Sequence, residues 1–227
     1  MSIAQNIQSI RASLPEGVAL CAVSKFHPIE ALQEAYDAGQ RIFGESREQE
    51  LCQKYEALPK DIVWHFIGHL QTNKVKYIAP FVNVIQSVDS ERLLDEINKQ
   101  AAKNNRIIDV LLQVHVAQEE TKSGFDSFEL ENILSKVKIS ERWPNIRLAG
   151  MMTMASFTQD ETQIVHEFRS LMLCYNSLIN GPLKAHGITK DQFKTLSFGM
   201  SDDYRIAIQC GANMVRIGSS IFGQRQY

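Results

Sequence analysis

Lys25 is the first residue of the chain whose setting could support chemistry. It follows an apolar run that ends at Val23, and it precedes Pro28, where a helix can begin. Partial desolvation at such a strand end lowers the affinity of a lysine for its proton, which makes the free amine a nucleophile. Schiff-base formation with a carbonyl requires an amine of this kind. The alternative is a solvent-exposed loop lysine, because lysines often follow apolar strands.

Two segments near the end of the sequence carry glycine and serine directly after apolar runs. One extends from Phe198 to Ser201, and the other contains Gly218 and Ser219. Glycine lets the backbone approach a ligand closely, and free N–H groups at the start of a helix favour an anion. Parallel α/β barrels often bind phosphate between the loops after strands seven and eight. We therefore expect a phosphate site at Ser201, Gly218 and Ser219, with ordinary turns as the alternative.

Arg216 lies inside the last apolar run, where an unpaired charge would be costly. Its partner is either a carboxylate, which would make a structural ion pair, or the phosphate or ring nitrogen of a ligand. A buried cation, a phosphate site and an opposing lysine together match pyridoxal 5'-phosphate (PLP) better than other small ligands. PLP is therefore the cofactor that these residues predict, bound covalently through Lys25.

Short apolar runs alternate with amphipathic segments along the whole chain. The runs predict eight strands, at 18–23, 41–44, 63–67, 82–88, 107–116 (the longest), 146–152, 194–197 and 213–217. Helices are predicted at 3–14, 28–38, 45–58, 72–79, 90–103, 127–137, 162–178 and 201–209. Alternation of this kind indicates parallel strands that are connected by crossover helices.

Eight strand–helix units favour a closed (β/α)8 TIM barrel over an open doubly wound sheet. No G-x-G-x-x-G motif follows the first strand, which weakens the alternative of a dinucleotide-binding sheet. The extra N-terminal helix could cover the bottom or the side of the barrel. Only ten residues follow 217 and no linker is evident, so we expect a single domain over residues 1–227.

The composition argues against several other classes of protein. Hydrophobic residues make up 44% of the chain, and its net charge of -2 gives no reason to expect binding to nucleic acid or to a membrane. The N-terminus lacks the pattern of a signal peptide, which makes the cytoplasm the expected compartment. The four cysteines show no metal-binding spacing, so we expect buried free thiols and no metal site.

Seven segments of the chain resemble the PLP-binding protein family known as YggS in bacteria and as PLPBP or PROSC in animals. The segments are 22–25 (AVSK), 43–45 (FGE), 65–74 (HFIGHLQTNK), 119–124 (EETKSG), 150–154 (GMMTM), 197–203 (SFGMSDD) and 215–219 (VRIGS). The resemblance covers nearly the whole chain, and segment 65–74 is especially distinctive.

This resemblance implies a barrel of the alanine racemase N-terminal kind, PLP fold type III, with the cofactor at its mouth. It implies that Lys25 forms the Schiff base, that Ser201, Gly218 and Ser219 contact the phosphate, and that Arg216 faces the pyridine nitrogen. Family members are thought to serve PLP homeostasis by holding the cofactor or delivering it to PLP-dependent apoenzymes, without established catalysis.

The chain departs from the family pattern at Ser46 and His115, where asparagine is usual. Both positions should lie near the barrel mouth, and we assign no binding role to either. Lys74 and Lys122 lie in matched segments and could be further PLP-binding lysines, with ordinary surface lysines as the alternative.

Two arguments favour a non-catalytic PLP carrier over an enzyme. A guanidinium is charged and only donates hydrogen bonds, so Arg216 opposite the ring nitrogen would keep that nitrogen unprotonated and PLP a weaker electron sink. The related racemases also take a second acid/base from an additional β-domain, for which this chain is too short, although it has potential bases in His27, His65, His69 and His115. An amino-acid racemase with an open site is the alternative function, and a regulatory protein that senses PLP is a weaker one.

Overall fold

The computed structural model describes residues 2–117 and 123–223, and its eight parallel strands form a closed barrel. The strands follow one another around the barrel in sequence order, and the last pairs with the first. Their bounds are Ala19–Val23 (β1), Ile42–Glu45 (β2), Val63–Phe66 (β3), Val84–Val88 (β4), Ile108–Gln113 (β5), Ile146–Met152 (β6), Thr195–Ser197 (β7) and Met214–Ile217 (β8). The predicted (β/α)8 TIM barrel is therefore confirmed.

Helices connect the strands around the outside of the barrel. In the described part of the chain they are Ile3–Ser13 (α1), Ile29–Asp37 (α2), Glu48–Ala57 (α3), Val75–Ile78 (α4), Glu91–Lys103 (α5), Ser127–Lys136 (α6), Ile139–Arg142 (α7), Glu161–Asn180 (α8), Pro182–Ala185 (α9), Tyr204–Gln209 (α10) and Ser219–Phe222 (α11). The sequence does not predict α7, α9 and α11, because four residues are too few to show a helical period. The helix predicted at 72–79 is a 3-10 turn followed by α4.

Two predicted helices begin later than expected, and both corrections affect the candidate site. Glu45 ends strand β2 instead of starting a helix, and α3 begins only at Glu48. Ser201 lies in the turn before α10, because the Met200 N–H donates to Asp203 Oδ1 (2.5 Å) and holds these residues in a turn. Neither Glu45 nor Ser201 is therefore a helical residue.

The prediction that the fifth strand is the longest is wrong. Strand β6 has seven residues and β5 has six. Beyond Gln113 the regular pairing with β6 ends, because Val114 forms an isolated bridge with Phe125, while its N–H still donates to the Met152 carbonyl oxygen (2.9 Å).

The N-terminal helix α1 covers the side of the barrel. It packs against α2 and α11, and Ile7 and Ile10 form its buried face. The side-chain amide of Asn6 donates to the Ile221 carbonyl oxygen (2.9 Å). Helix α1 therefore supports α11, the short helix that directly follows β8.

The apolar core lies between the barrel wall and the surrounding helices. Leu93, Leu94 and Ile97 form the buried face of α5, as their helical spacing predicts. Gly150 lies against the neighbouring strand β7, where a Cβ would come within 1.8 Å of the Thr195 carbonyl oxygen. Only glycine allows β6 and β7 to approach this closely.

All four cysteines are free thiols. Cys21 and Cys174 are buried, as predicted, but Cys52 and Cys210 are only half-buried, so the expectation is wrong for these two. Cys52 lies on α3 and Cys210 is the C-cap residue directly after α10, and both positions are partly exposed to solvent. In the described part of the chain, no helix is long and apolar enough to cross a membrane.

Candidate functional site

Strands β1 and β8 bring Lys25 and Gly218 to the same part of the barrel mouth. The two strands are parallel neighbours, with Ala22 opposite Ile217. A Cβ on Gly218 would lie 3.1 Å from the Val23 carbonyl oxygen, which is tighter than most Cβ contacts. Glycine at this position therefore lets the loop after β8 lie directly beside the chain that leads to the lysine.

The two serines predicted to bind phosphate are in direct contact. Ser219 Oγ donates to Ser201 Oγ at 3.0 Å, which links the turn after β7 to the first residue of α11. Gly218 is the N-cap residue of that helix. The rings of His27 and Phe222 stack with centroids 4.9 Å apart, so the loop after β1 also contacts α11. Residues from three separate loops therefore meet at one end of the barrel.

Lys25 is a central residue of a tight turn and is half-buried. The His27 N–H donates to the Ser24 carbonyl oxygen (3.1 Å) and closes the turn. The other central residue, Phe26, has a φ of +67°. This value lies in the left-handed region of backbone conformation, which residues other than glycine rarely adopt. The lysine thus lies where the sequence predicts it, directly after the first strand.

A buried group of charged side chains lies under this turn, between the ends of β1 and β2 and helix α3. Lys54 Nζ donates to Glu45 Oε1 (2.7 Å), to Glu50 Oε1 (2.6 Å) and to the Ser24 carbonyl oxygen (2.8 Å). Ser24 Oγ also donates to Glu45 Oε1 (2.6 Å). Burial raises the pKa of Glu45 to about 7, against the opposing effects of Lys54 and Ser24. We call Ser24, Glu45, Glu50 and Lys54 the turn cluster.

A second polar group crosses the inside of the barrel. Arg216 Nη1 donates to Ser197 Oγ (2.9 Å), Ser197 Oγ donates to Gln86 Oε1 (2.6 Å), and Gln86 Nε2 lies 2.6 Å from His65 Nδ1. These residues belong to β8, β7, β4 and β3. Since β4 and β7 are not neighbours in the closed barrel, the bonds between them pass through its lumen. We call Arg216, Ser197, Gln86 and His65 the lumen chain.

Arg216 is buried among neutral partners. Its Nη1 also donates to the Ser197 carbonyl oxygen (2.7 Å), and Nη2 donates to the Thr153 carbonyl oxygen (2.8 Å). Among the described residues it forms no ion pair, so the alternative of a structural carboxylate partner is not supported there. Burial lowers the pKa of Arg216 to about 10, which still leaves it charged at neutral pH.

The donor direction along the lumen chain follows from the guanidinium, which only donates. Ser197 Oγ accepts from Arg216 and so gives its own proton to the Gln86 carbonyl oxygen. The Gln86 amide then donates to His65 Nδ1, which leaves the ring proton of His65 on Nε2. Burial lowers the pKa of His65 to about 3, so this histidine is neutral at physiological pH.

The remaining predicted positions lie at or beside the same face. Ser46 directly follows β2 and His115 lies just beyond β5, both at carboxyl ends of strands, as predicted. Lys74 forms an ion pair with Glu48 (2.6 Å), and this hydrogen bond raises its pKa. A firmly held ammonium is a poor nucleophile, which favours the surface-lysine alternative for Lys74. Lys122 and the rest of 119–122 lie outside the described residues.

Sequence reasoning misses Gln86 and Lys54. Gln86 is a polar residue inside an apolar strand, as Arg216 is. Asking which group inside the barrel it bonds to, as for Arg216, would have identified it. Lys54 carries no such signal, because a lysine on an amphipathic helix is ordinarily exposed to solvent.

The residues at the mouth fit the chemical groups of the predicted cofactor. Ser201 and Ser219 offer paired hydroxyls to a phosphate, beside a glycine that leaves room for it. Arg216 is a buried donor whose charge is not neutralised by a described carboxylate. Among the residues that the structure describes, no group of three or more His, Cys, Asp and Glu side chains could hold a metal ion.

Comparison with known proteins agrees with this geometry. The sequence profile of the family described as "Alanine racemase, N-terminal domain" matches residues 1–226. A relative in Aquifex aeolicus, named "Pyridoxal phosphate homeostasis protein", is 41% identical over 209 residues, which cover 92% of this chain and 87% of the relative. A relative of the same name in Schizosaccharomyces pombe is 39% identical, over 92% of this chain and 84% of its own. The chain belongs to the pyridoxal phosphate homeostasis protein family.

Solved structures extend the comparison of this family member. PipY from Synechococcus elongatus, whose structure contains PLP, is 32% identical, with a TM-score of 0.86 over 98% of this chain and 100% of PipY. An alanine racemase from Clostridium difficile is 17% identical, with a TM-score of 0.75, and the match spans all of this chain but 57% of the racemase. The likeness to the racemase shows a shared barrel fold.

Proposed function

We propose that this protein holds PLP covalently on Lys25 and serves PLP homeostasis as a carrier, without catalytic turnover. The observation that supports the proposal is that Lys25, Ser201, Gly218, Ser219 and Arg216 lie at or next to the carboxyl ends of β1, β7 and β8, and that Ser219 bonds to Ser201. PLP in the structure of PipY, which is 32% identical over nearly the whole chain, supports the same ligand here.

Each of these residues has its own role in the proposed site. Lys25 would supply the amine that condenses with the cofactor's aldehyde, so that a C=N bond replaces the C=O bond and water leaves. The hydroxyls of Ser201 and Ser219 donate to the phosphate, and Gly218 leaves space for it. Arg216 donates towards the pyridine nitrogen from the lumen side. When bound, PLP supplies a carbonyl carbon that can pass from one amine to another, which suits a carrier.

The electrostatics support a carrier over a racemase. Arg216 keeps its proton at neutral pH, because its pKa of about 10 lies well above that range, so it would not protonate the ring nitrogen that it faces. His65 is neutral, buried and already bonded to Gln86, so it is unsuited to act as an acid. His69 is largely exposed and pairs with Asp89 (3.2 Å). The names of the curated relatives agree with a role in homeostasis.

We further infer that residues 1–227 act as one PLP-binding domain in the cytoplasm and that PLP-dependent apoenzymes receive the cofactor. Four free cysteines suit a reducing compartment. Attachment through an imine is reversible, so the amine of a recipient enzyme can take the cofactor from Lys25. The net charge of -2 gives no reason to expect a nucleic-acid or membrane partner.

The test is covalent labelling of the purified protein with PLP. Near-visible absorbance is recorded after PLP is added, and borohydride reduction is followed by peptide mapping. We expect a new absorbance band and a reduced pyridoxyl group on the Lys25 peptide, because Lys25 is a half-buried residue at the barrel mouth while Lys74 is held as an ammonium by Glu48. Lys25→Ala should stay folded and lose the label, since the residue lies in a turn at the barrel mouth.

Lys74→Ala is the matched control and should be labelled like the wild type. Label spread evenly over surface lysines, or kept by Lys25→Ala, would contradict the proposed attachment. Incubation with amino acids in D2O tests the carrier against the racemase. Rapid exchange of an α-proton would favour the racemase.

A further inference from the structure

Helix α3 holds the backbone on both sides of Lys25. On one side, the Ser24 carbonyl oxygen accepts from Lys54 Nζ (2.8 Å). On the other side, the Phe26 N–H donates to Glu50 Oε1 (2.7 Å). Glu50 and Lys54 are four residues apart on one face of α3 and pair with each other at 2.6 Å. Two linked side chains of one helix therefore hold the residues immediately before and after the lysine.

The turn needs such support because Phe26 has a strained backbone. Its φ of +67° lies in the left-handed region, which is unfavourable for a side chain with a Cβ. A strained residue persists only where its surroundings over-determine it. Glu50 holds the N–H of Phe26, and the guanidinium of Arg47 lies over its ring, 4.6 Å from the centroid. Glu50 lies in the first turn of α3, and Arg47 is the N-cap residue of the same helix.

An ion pair that only stabilises the fold would not need to touch this turn. The same helix contains a pair of another kind, because Glu48 binds Lys74 (2.6 Å), which lies after β3 and not in this turn. Lys54, in contrast, is almost completely buried and donates one of its three hydrogen bonds to the turn backbone. A buried lysine and a buried glutamate, with the partly exposed Glu50 beside them, lie under a single turn, and Lys54 and Glu50 bond to its backbone, which indicates a role in positioning Lys25.

We propose that Glu50 and Lys54 are positioning residues for Lys25: they hold the turn in its strained form so that the lysine amine meets the carbonyl carbon of PLP. This inference rests on the proposed function, in which Lys25 is the residue that binds PLP. Without the bonds from Glu50 to the Phe26 N–H and from Lys54 to the Ser24 carbonyl oxygen, the peptide between Lys25 and Phe26 can rotate. The lysine amine then samples positions away from the carbon that it attacks. Small misplacements of reacting groups reduce rates strongly.

The experiment compares the rate of PLP attachment at Lys25 in Glu50→Ala with that in the wild type. The rate is measured by stopped-flow absorbance and by borohydride trapping at successive times. We expect Glu50→Ala to attach PLP about tenfold more slowly. Its affinity for 4'-deoxypyridoxine 5'-phosphate, an analogue that lacks the aldehyde, should be unchanged, because the phosphate-binding serines are not altered. A role in folding alone would change both measurements or neither.

Two further variants keep the proposal falsifiable. Glu50→Gln retains an oxygen that accepts from the Phe26 N–H and should attach PLP close to the wild-type rate. Glu48→Gln removes an acidic group of the same helix end whose ion pair is with Lys74, and it should match the wild type. The positioning role is overturned if Glu50→Ala attaches PLP as fast as Glu48→Gln, or if Glu50→Gln is as slow as Glu50→Ala. A wild-type protein that takes up no label at Lys25 would instead refute the proposed function.

Discussion

The turn cluster and the lumen chain are both buried at the carboxyl ends of the strands, yet they accommodate charge in different ways. In the turn cluster, Lys54 lies between two carboxylates, those of Glu45 and Glu50, at 2.7 and 2.6 Å. In the lumen chain, the guanidinium of Arg216 faces carbonyl oxygens and the hydroxyl of Ser197. One group neutralises its cation with anions, and the other solvates its cation with dipoles.

This difference separates two tasks at one site. Charges paired inside the turn cluster attract one another strongly, which suits a group that must hold a backbone in one conformation. The cation of the lumen chain is held in place but not neutralised by a described carboxylate. It can therefore still interact with an acceptor or an anion that enters the mouth of the barrel. The first group suits positioning, and the second suits ligand recognition.

Removal of the shared cation of the turn cluster should have the largest effect. Lys54→Met keeps most of the side-chain volume but leaves Glu45 and Glu50 together without a counter-ion. We expect a loss of about 3–5 kcal/mol in the free energy of unfolding, measured by urea denaturation at about pH 8, where Glu45 of the wild type is ionised, because a buried charge that loses its partner is strongly destabilising. Lys74→Met breaks a more exposed pair and should cost about 1 kcal/mol or less. Equal losses in the two variants would show that the cluster is no more coupled than a surface ion pair.

Removal of the cation of the lumen chain should cost less stability. Arg216→Met loses hydrogen bonds to Ser197 and Thr153, but it also relieves the burial of a charge that has no described anionic partner. We expect a change within about 2 kcal/mol of the wild type in the same urea experiment, together with weaker retention of PLP. Arg216→Lys is the control, since it keeps the charge and loses the fork geometry. A loss as large as that of Lys54→Met would mean that the two groups do not differ as argued.

The sequence predicts the barrel and the mouth residues better than it predicts these two groups. Strand periodicity identifies all eight strands because each is a local apolar run, and the glycine and serine loops follow them directly. The contact of Gln86 with Ser197 joins β4 to β7, which are far apart in the sequence and not neighbours in the sheet, so it depends on barrel closure. Glu45 is assigned to a helix by its local pattern, whereas its burial against Lys54 belongs to the end of β2. Such pairings depend on tertiary structure and have no local signal.

The smallest of the three effects is a pair of opposing pH dependences. Burial raises the pKa of Glu45 from 4.5 to about 7, so the folded protein takes up a proton in this range, and the contribution of Glu45 to stability falls as the pH rises from about 4.5 to 7. Burial lowers the pKa of His65 from 6.5 to about 3, so the unfolded chain takes up the proton, and the contribution of His65 rises with pH between about 3 and 6.5. The two slopes oppose each other where the ranges overlap.

Urea denaturation of the wild type, Glu45→Gln and His65→Gln at several pH values between 4.5 and 6.5 separates the two contributions. Each can change stability by up to about 1 kcal/mol per pH unit, and their opposition should leave the wild type with a shallower dependence than either variant. Relative to the wild type, Glu45→Gln should gain stability as the pH rises, because it lacks the carboxyl whose ionisation is penalised by burial. His65→Gln should lose its relative advantage over the same interval, because it lacks the base that only the unfolded chain protonates. Slopes of the same sign in the two variants would contradict the assignment of a neutral His65 to the lumen chain and of a readily protonated Glu45 to the turn cluster.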